Sequence, residues 1–394
     1  MHTRSVASNI WKIAALRALR SFMLIIPVLV LFLQENGLSL SEVFLLQSLF
    51  SVALLLFEIP TGYLSDRFGR RNSVIFGCTF GIVGHWVYAF GTGFWDFLLA
   101  ETLLGFGASF LSGTESALLF DSLVEMDQVK EHKRIEGRNT SLGMLSEAVA
   151  SILGGVLALI SLRFPLYCEA VMMLALIPVA LSIVEPRRER LVAISSPIKD
   201  MFRLTKYALH DHVEIRWLCL YSAAVGASTL TMVWLTQPYF KAAGLPLSFF
   251  GIVWAVFQMI GASCSWHAHA IEQRLGRHGS LVFLVALPAF GYFVLGLSGS
   301  LAVGGVIACF YITRGVHGPI LSDYINSLVA SEIRATILSA KNLLARLLFS
   351  IVGPVVGWVH DSLSLSMALI GSGCFFLLLG SLALFGITRS KKPG

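Results

Sequence analysis

The sequence predicts an all-α membrane protein with twelve transmembrane helices in two pseudo-symmetric six-helix bundles. Three observations support this prediction: an apolar composition, a series of long apolar runs, and short motifs that recur in the two halves. Of 394 residues, 56% are hydrophobic and 13% are charged, and the mean hydropathy is +0.77. Soluble domains carry about 25% charged residues. The composition therefore excludes a water-soluble enzyme, a nucleic-acid-binding protein and a disordered chain as the main body.

The apolar runs define the individual helices. A transmembrane helix needs about 20 apolar residues, and charged or Gly- and Pro-bearing breaks separate twelve such runs. The first run follows Arg4 and Lys12 as in a signal peptide, but it has no small-residue cleavage site, so we expect a retained helix. The predicted helices are 13–33, 43–63, 73–92, 95–119, 141–162, 165–184, 217–238, 248–268, 280–297, 301–322, 337–359 and 365–387.

The distribution of positive charge predicts the orientation. If the N-terminus is cytoplasmic, most of the 29 Lys and Arg residues lie in or beside cytoplasmic segments, and the outer loops hold Arg163 and Lys241. This asymmetry is what the positive-inside rule requires. We therefore expect a multi-pass protein of the plasma or inner membrane with both termini cytoplasmic. The net charge of +6 then serves to orient the chain, and we expect no nucleic-acid partner.

A polar stretch divides the chain into two halves. Residues 185–216 form the longest polar segment and separate six predicted helices from six others. The sequence therefore predicts an N-terminal six-helix bundle at 1–184, a cytoplasmic linker at 185–216 and a C-terminal six-helix bundle at 217–394.

The two halves also share an internal repeat. The sequence GLSLS at 37–41 returns as GLPLS at 244–248, an offset of 207 residues. At the same offset, RFGR at 67–70 returns as RLGR at 274–277. Two related six-helix halves joined by a linker are typical of secondary transporters.

The segment 62–71 (GYLSDRFGRR), between the second and third predicted helices, resembles the signature loop of the major facilitator superfamily. The family pattern has a glycine, then Asp-Arg, then Gly-Arg followed by Arg or Lys, and the segment keeps every defining position. The resemblance implies a transporter that works by alternating access, with this segment as a conformational latch. The latch residues are Gly62, Asp66, Arg67, Gly69, Arg70 and Arg71.

Elementary electrostatics gives this loop the same role. Asp66 stands beside three arginines, and its carboxylate could pair with them and bind the positive N-terminus of a neighbouring helix. Gly62 and Gly69 would permit a close helix approach and a tight turn. A solvated loop that only orients the chain is the alternative. In the second half Gln273 replaces the acid and His278 replaces the last arginine, which predicts a weaker latch.

Two other family patterns are only partly kept. Proton-coupled members commonly carry an arginine in the fourth helix, four residues before a glycine, and Glu101 occupies that position here. The antiporter pattern of the fifth helix places Gly-Pro shortly before a glycine pair, whereas this chain has Ala150-Ser151 before Gly154-Gly155. Both departures count against drug/proton antiport.

Charged residues inside the predicted helices are the candidate functional groups, because a charge at the bilayer centre costs at least about 2.5–3.5 kcal/mol. A carboxylate among apolar helices can take up a proton near neutral pH, so we predict proton coupling by Glu101, Glu147 and Glu58. Structural ion pairs, such as Arg20 with Glu58 or Glu147, are the alternative. The intramembrane set is Arg17, Arg20, Glu58, Glu101, Glu115, Glu147 and Glu169 in the first half, and Arg314 and Arg346 in the second.

The positions of the acids along the helices give two further expectations. Glu101 and Glu115 are fourteen residues apart, nearly four helical turns, which places them on one face of the fourth predicted helix. We expect Glu115 and Glu169 to lie nearer a membrane edge than the other acids.

Arg314 is the central candidate for substrate binding. It stands next to Gly315, Gly318 and Pro319, which loosen the helix as in the broken helices of transporters, and an arginine facing a cavity would bind a carboxylate or phosphate. The alternatives are an ion pair between Arg314 and a first-half glutamate, and ordinary packing for the aromatic candidates. The predicted substrate-binding residues are Arg20, Arg314, Glu115, Trp234 and Tyr311.

These features predict a proton-coupled secondary active transporter for a small organic solute, with export favoured over uptake by the resemblance. The proton gradient is the energy source, no cofactor or metal is expected, and the partners are the solute, protons and lipid around a monomer. The alternatives are proton-coupled uptake of an anionic metabolite or siderophore-like metal chelate, and a transporter-like sensor that does not transport. An enzyme is not expected, because no nucleophile–base pair or metal-ligand spacing is present.

Overall fold

The computed structural model describes residues 6–186, 212–329 and 331–390, which form helices joined by turns and short loops, without β-strands. Contacts within the chain divide it into two units. The first comprises Met1–Gly37, Leu49–Ile194 and Leu247–Ala255, and the second comprises Leu38–Ser48, Ser195–Pro246 and Val256–Gly394.

The described helices of the first half follow the apolar runs, because each run can bury its backbone polar groups only by forming helix. They are α1 (Asn9–Ser21), α2 (Leu29–Glu35), α3 (Leu40–Phe68), α4 (Arg70–Phe90), α5 (Phe94–Leu111), α6 (Thr114–Glu125), α7 (His132–Leu157), α8 (Phe164–Met173) and α9 (Leu176–Ser182).

The described helices of the second half are mostly longer than those of the first. They are α10 (Val213–Ala242), α11 (Phe250–Trp266), α12 (Ala268–Ser298), α13 (Ala308–Asn326), α14 (Ser331–Ser362) and α15 (Leu365–Ser390).

Within the described residues, 12 helical segments are long and apolar enough to cross a membrane, which confirms the predicted number. The first span, Asn9–Glu35, contains both α1 and α2, and the fourth, Phe94–Glu125, contains both α5 and α6. One connection is shorter than predicted: the segment 269–279 is mostly helical and belongs to α12, but Gly276, with φ of +67° and ψ of 171°, interrupts the helix there.

The first span is interrupted between α1 and α2. Helix α1 ends at Ser21, and a short 3-10 turn, Ile26–Val28, precedes α2. Pro27 lies in this turn, where its ring removes one backbone N–H and restricts the residue before it. The break leaves the N–H of Ile25 free to bind a side chain, and it donates to Glu169 Oε2 at 3.0 Å.

The repeated motifs place glycines in the same backbone conformation in both halves. Gly37 and Gly244 have φ of +86° and +81°, and Gly69 and Gly276 have φ of +102° and +67°. Residues with a Cβ rarely adopt these angles. The internal repeat is therefore a repeat of structure as well as of sequence.

Each unit has its own apolar core. In the first, residues from α1, α4, α6 and the helix pair α8–α9 pack together, including Ile13, Val74, Leu118 and Met173. In the second, residues from α10, α12, α13 and α15 do the same, including Leu218, Leu284, Leu321 and Ile387. The start of α3 belongs to the second unit, where the Asp361 carboxylate accepts the N–H groups of Leu40 and Ser41 at 3.2 and 2.8 Å.

Candidate functional site

The predicted latch surrounds the N-terminus of α4. The Glu185 carboxylate accepts hydrogen bonds from the backbone N–H groups of Arg70 and Arg71, at 2.8 and 2.7 Å. Arg70 Nε lies 3.3 Å from Asp121 Oδ2, and Arg71 also donates a side-chain hydrogen bond to a carbonyl of α9. The side chain of Asp66 lies outside the described part of the structure. In the described part, Glu185 is thus the carboxylate that binds the helix N-terminus.

Glu185 was absent from the sequence analysis because it opens the linker, far along the chain from the signature loop. Gly69 has a φ of +102°, which residues with a Cβ rarely adopt, and a Cβ there would also lie 3.0 Å from Glu185 Oε1. Gly62 differs, because a Cβ there would meet no atom within 4 Å. The close helix approach expected at Gly62 is therefore wrong for the described residues. Arg67 stacks over the Phe68 ring, 5.8 Å from its centroid.

The second copy of the latch has its own acid. Arg277 binds Glu214 of α10 with an Nη2–Oε1 distance of 2.6 Å. Gln273, which replaces the first-half aspartate, contacts His269 at 3.0 Å. The second copy thus keeps an arginine–carboxylate contact to a neighbouring helix, through a partner that the motif alone did not indicate.

A cluster of arginines and glutamates joins α1, α6 and α7. Arg20 forms two contacts with the Glu115 carboxylate, at 3.1 and 3.2 Å. Arg17 lies 3.4 Å from Glu115 and 2.9 Å from Glu136. The expected pairing of Arg20 with Glu58 or Glu147 is therefore wrong. The cause is Gly113, whose φ of +72° starts a new helix and turns Glu115 away from the continuous path of α5.

Glu101 lies in a different environment. Its side chain on α5 is buried, with 4% of the residue exposed, and Oε1 accepts a hydrogen bond from the Tyr88 hydroxyl at 3.0 Å. The single acidic face predicted for Glu101 and Glu115 is wrong, because the chain breaks between α5 and α6 and the two acids bind different helices.

The other two predicted coupling residues are less buried. Glu58 is exposed and accepts a hydrogen bond from Ser112 Oγ at 3.1 Å, although the sequence placed it well inside the span. Glu147 is half-buried, and Trp254 Nε1 lies 3.5 Å from its Oε1.

A histidine–glutamate pair forms the most deeply buried acid site of the first unit. Glu169 of α8 is 0% exposed, and its Oε1 lies 3.0 Å from His85 Nε2 of α4. His85 Nδ1 lies 2.7 Å from the Gly81 carbonyl oxygen. The sequence predicted that Glu115 and Glu169 lie near a membrane edge, and it did not predict that helices enclose both side chains. The sequence also did not single out His85, because a lone histidine in an apolar run does not indicate which residue it contacts.

The substrate-binding candidates of the second half have separate environments. Arg314 is exposed, and among the described residues it has no ion-pair partner. Tyr311 is buried and stacks on Phe257, with 5.2 Å between ring centroids, as packing alone would require. Trp234 is also buried, and no hydrogen-bond acceptor for its Nε1 lies among the described residues.

The second half contains a buried cation that the sequence did not single out. Lys341 is 5% exposed within α14 and donates to Ser322 Oγ at 3.1 Å. No carboxylate lies within ion-pair distance of it among the described residues. His317 contacts Ser222 Oγ at 2.9 Å in the same unit. Within the described chain, no group of three or more His, Cys, Asp or Glu side chains could hold a metal ion.

Twelve candidate spans, a structural repeat and charged side chains enclosed between helices define a multi-pass membrane transporter. A family model described as Major Facilitator Superfamily matches residues 13–354. The chain belongs to the major facilitator superfamily, and it is a transporter and not an enzyme.

Known proteins of this family resemble the chain along most of its length. It is 23% identical over 350 residues to the class H tetracycline resistance protein of Pasteurella multocida, covering 84% of this chain and 83% of that protein. It is 21% identical over 392 residues to multidrug resistance protein 2 of Bacillus subtilis (strain 168), covering 94% and 92%. The crystal structure of the D323A mutant of nucleoside transporter NupG has a TM-score of 0.80 at 13% identity, covering 98% of this chain and 100% of that one.

Proposed function

We propose that this protein is a proton-coupled transporter that exports a small organic solute across the plasma or inner membrane, as a monomer with both termini cytoplasmic. Glu101 carries this proposal. Its carboxyl group is buried inside a span and hydrogen-bonded to the neutral Tyr88 hydroxyl, and burial in an apolar environment disfavours the ionised form of a carboxyl group. A proton that binds there from one side and leaves to the other would couple the gradient to transport.

The direction is supported by two relatives that match nearly the whole chain. Their names are those of a tetracycline resistance protein and a multidrug resistance protein, and resistance proteins of a transporter family favour export. Glu147 and Glu58 are the further coupling candidates, because each lies in a span and has a polar contact within hydrogen-bond distance.

Alternating access requires contacts that hold one state and break in the other. We assign this role to the latch of Gly62, Asp66, Arg67, Gly69, Arg70 and Arg71 together with Glu185. The contact of the Glu185 carboxylate with the N-terminus of α4 pairs a negative charge with the positive end of a helix dipole. Each contact is worth little enough to break during a transport cycle, since such interactions contribute about 0.3–2 kcal/mol.

Purified protein in liposomes with a pH-sensitive dye inside tests the proposal. Solutes from a panel of lipophilic cations, neutral drugs and organic anions are added under an imposed pH gradient. Export by antiport predicts that solute entry drives protons out through the same protein, and that reversing the proton gradient reverses solute flux. Solute flux that ignores the gradient would contradict proton coupling, and proton movement in the same direction as the solute would contradict antiport.

Uptake of an anionic metabolite or metal chelate is the second candidate. Arg314 favours it, because this guanidinium is exposed and has no acidic partner among the described residues. Trp234 and Tyr311 lie in the same unit as possible lining residues. Arg20 supports this candidate less, since Glu115 already neutralises it.

Thermal stabilisation of the detergent-purified protein separates the two candidates. Stabilisation by organic anions that is lost in Arg314→Ala and kept in Arg314→Lys would favour anion uptake. Stabilisation by lipophilic cations that is unchanged in Arg314→Ala would favour export.

A further inference from the structure

The first unit encloses a titratable pair that the proposed function does not use. His85 projects from α4 and Glu169 from α8, and their side chains are 13% and 0% exposed. The pair is fixed on both sides: His85 Nδ1 lies 2.7 Å from the Gly81 carbonyl, and Glu169 Oε2 accepts the Ile25 N–H at 3.0 Å. Between them, Nε2 and Oε1 are 3.0 Å apart.

Counting hydrogens shows what these contacts require. A carbonyl oxygen only accepts, so His85 Nδ1 must carry the hydrogen that points at Gly81. A neutral imidazole then has a bare lone pair at Nε2, and an ionised Glu169 has only lone pairs at Oε1. Two lone pairs at 3.0 Å repel each other. Glu169 Oε1 has no hydrogen-bond partner among the described residues, so charge rather than a hydrogen bond must favour the short distance. A second proton on the imidazole supplies that charge, because it makes the contact an ion pair between an imidazolium and a carboxylate.

Loss of that proton cannot leave the arrangement unchanged. The other neutral tautomer of His85 would donate from Nε2 to Glu169, but it would then point a bare Nδ1 at the Gly81 carbonyl oxygen. Either the ring or the carboxylate must move. If the carboxylate moves, the Ile25 N–H in the break of the first span loses its acceptor, and a buried backbone N–H without an acceptor is unfavourable.

We propose that His85 and Glu169 form a proton-binding site whose occupancy controls the break between α1 and α2. The site deepens the proposed function, and its use in transport rests on that function. Protonation holds Glu169 in place and with it the turn at Ile25. Deprotonation releases the contact and lets the first span change shape, which gives the proton a direct mechanical connection to a membrane-spanning helix.

The other titratable groups around His85 belong to identifiable contacts. Glu101 of α5 and Glu169 are the acids whose charge acts on the imidazole. On the elements packed against α4, three further acids are engaged elsewhere: Asp96 with Thr92, Asp121 with Arg70, and Glu115 with the α1 arginines. A fourth, Glu125, is the last residue of α6. The sequence of α9, LIPVALS, contains no titratable side chain.

Glu169→Gln is the most direct test variant. A glutamine can donate from its amide nitrogen to the bare Nε2 of His85 while its oxygen still accepts the Ile25 N–H, so it reproduces the protonated state. Asp96→Asn is the matched control, because it changes an exposed carboxylate of the same unit to an amide. His85→Gln removes the ring instead and serves as a second, independent variant.

Proton binding is measured with the purified full-length protein in weakly buffered detergent with a pH indicator. Between about pH 5 and about pH 8, we expect Glu169→Gln and His85→Gln each to bind about one proton fewer than the wild type. The Asp96→Asn variant should match the wild type. Equal proton binding by the wild type and both test variants would overturn the site.

Hydrogen exchange of a peptide covering residues 22–28 tests the connection to the first span. After correction for intrinsic exchange rates, protection should fall as pH rises in the wild type and stay constant in Glu169→Gln. Protection that is independent of pH in the wild type would overturn the mechanical connection. If the proton count differs as expected but reconstituted transport ignores the pH gradient, the proton site stands and the proposed function fails.

Discussion

The chemical role of an intramembrane glutamate depends on its partner more than on its depth. Glu115 faces two guanidinium groups at 3.1–3.4 Å, and removal of one member of such a buried pair would leave an uncompensated charge. Glu101 instead binds a neutral hydroxyl. The two acids are buried to nearly the same degree, with 4% and 3% of the residue exposed, so depth alone does not distinguish a coupling candidate from a member of an ion pair.

Glu101→Gln should abolish solute accumulation driven by a pH gradient and leave downhill exchange intact, because the amide cannot release a proton but still accepts the Tyr88 hydroxyl. The measurement is uptake into liposomes with and without the gradient. Tyr88→Phe is the control: it keeps the carboxyl group, so accumulation should persist with an altered pH dependence. Unchanged accumulation in Glu101→Gln would remove Glu101 from the mechanism.

The signature glycines should differ in their tolerance of a side chain. Gly69→Ala forces a Cβ into a φ of +102° and to 3.0 Å from Glu185 Oε1, and we expect it to destabilise the protein by about 1–3 kcal/mol. Gly62→Ala places a methyl group in open space inside α3, where alanine is favoured over glycine by about 0.5–1 kcal/mol. Thermal unfolding in detergent compares the two. Equal melting temperatures would contradict the assigned role of Gly69.

At the scale of helices, the sequence predicted the features that depend on apolar runs and on repeated motifs. Twelve apolar runs predicted 12 candidate spans, and the recurring motifs contain glycines that the structure shows with positive φ in both halves. The breaks inside spans were not predicted. The turn before Pro27 and the positive φ of Gly113 lie within continuous apolar runs, so hydropathy does not reveal them. Because these breaks set the direction of Glu115 and free the Ile25 N–H, the pairing of intramembrane charges could not be predicted either.

The Glu185 carboxylate caps the N-terminus of α4, and the contribution of this contact to the stability of the protein can be measured. Glu185→Ala removes the acceptor of two backbone N–H groups, and loss of a helix cap typically costs about 0.5–2 kcal/mol. We therefore expect a lower unfolding temperature and faster transport if the latch restrains the cycle. Glu131→Ala is the control, because its partner Arg134 is 65% exposed and exposed ion pairs contribute at most about 1 kcal/mol. Similar losses in both variants would argue against a special role for Glu185.

At the scale of the whole molecule, the family was predictable because its signature combines charge, glycine and position in ten consecutive residues. The site was less predictable, because its contacts join residues distant in sequence. Glu185 meets Arg70 across 115 positions, and His85 meets Glu169 through packing of α4 on α8. Lys341 shows the same limit: the predicted helix 337–359 contains it, but the sequence did not indicate that its side chain is buried.

The predicted orientation of the chain is a whole-molecule property, and the prediction depends on charge alone. Lys and Arg are retained on the cytoplasmic side during insertion, and only Arg163 and Lys241 fall in predicted outer loops. The test uses a chain whose six cysteines are replaced, with single cysteines returned at exposed sites. An impermeant maleimide should label Ser161→Cys and Lys241→Cys in intact cells, and Gln128→Cys only after permeabilisation. The reverse labelling pattern would place both termini outside the cell. Solute movement now interpreted as export would then have to be interpreted as uptake.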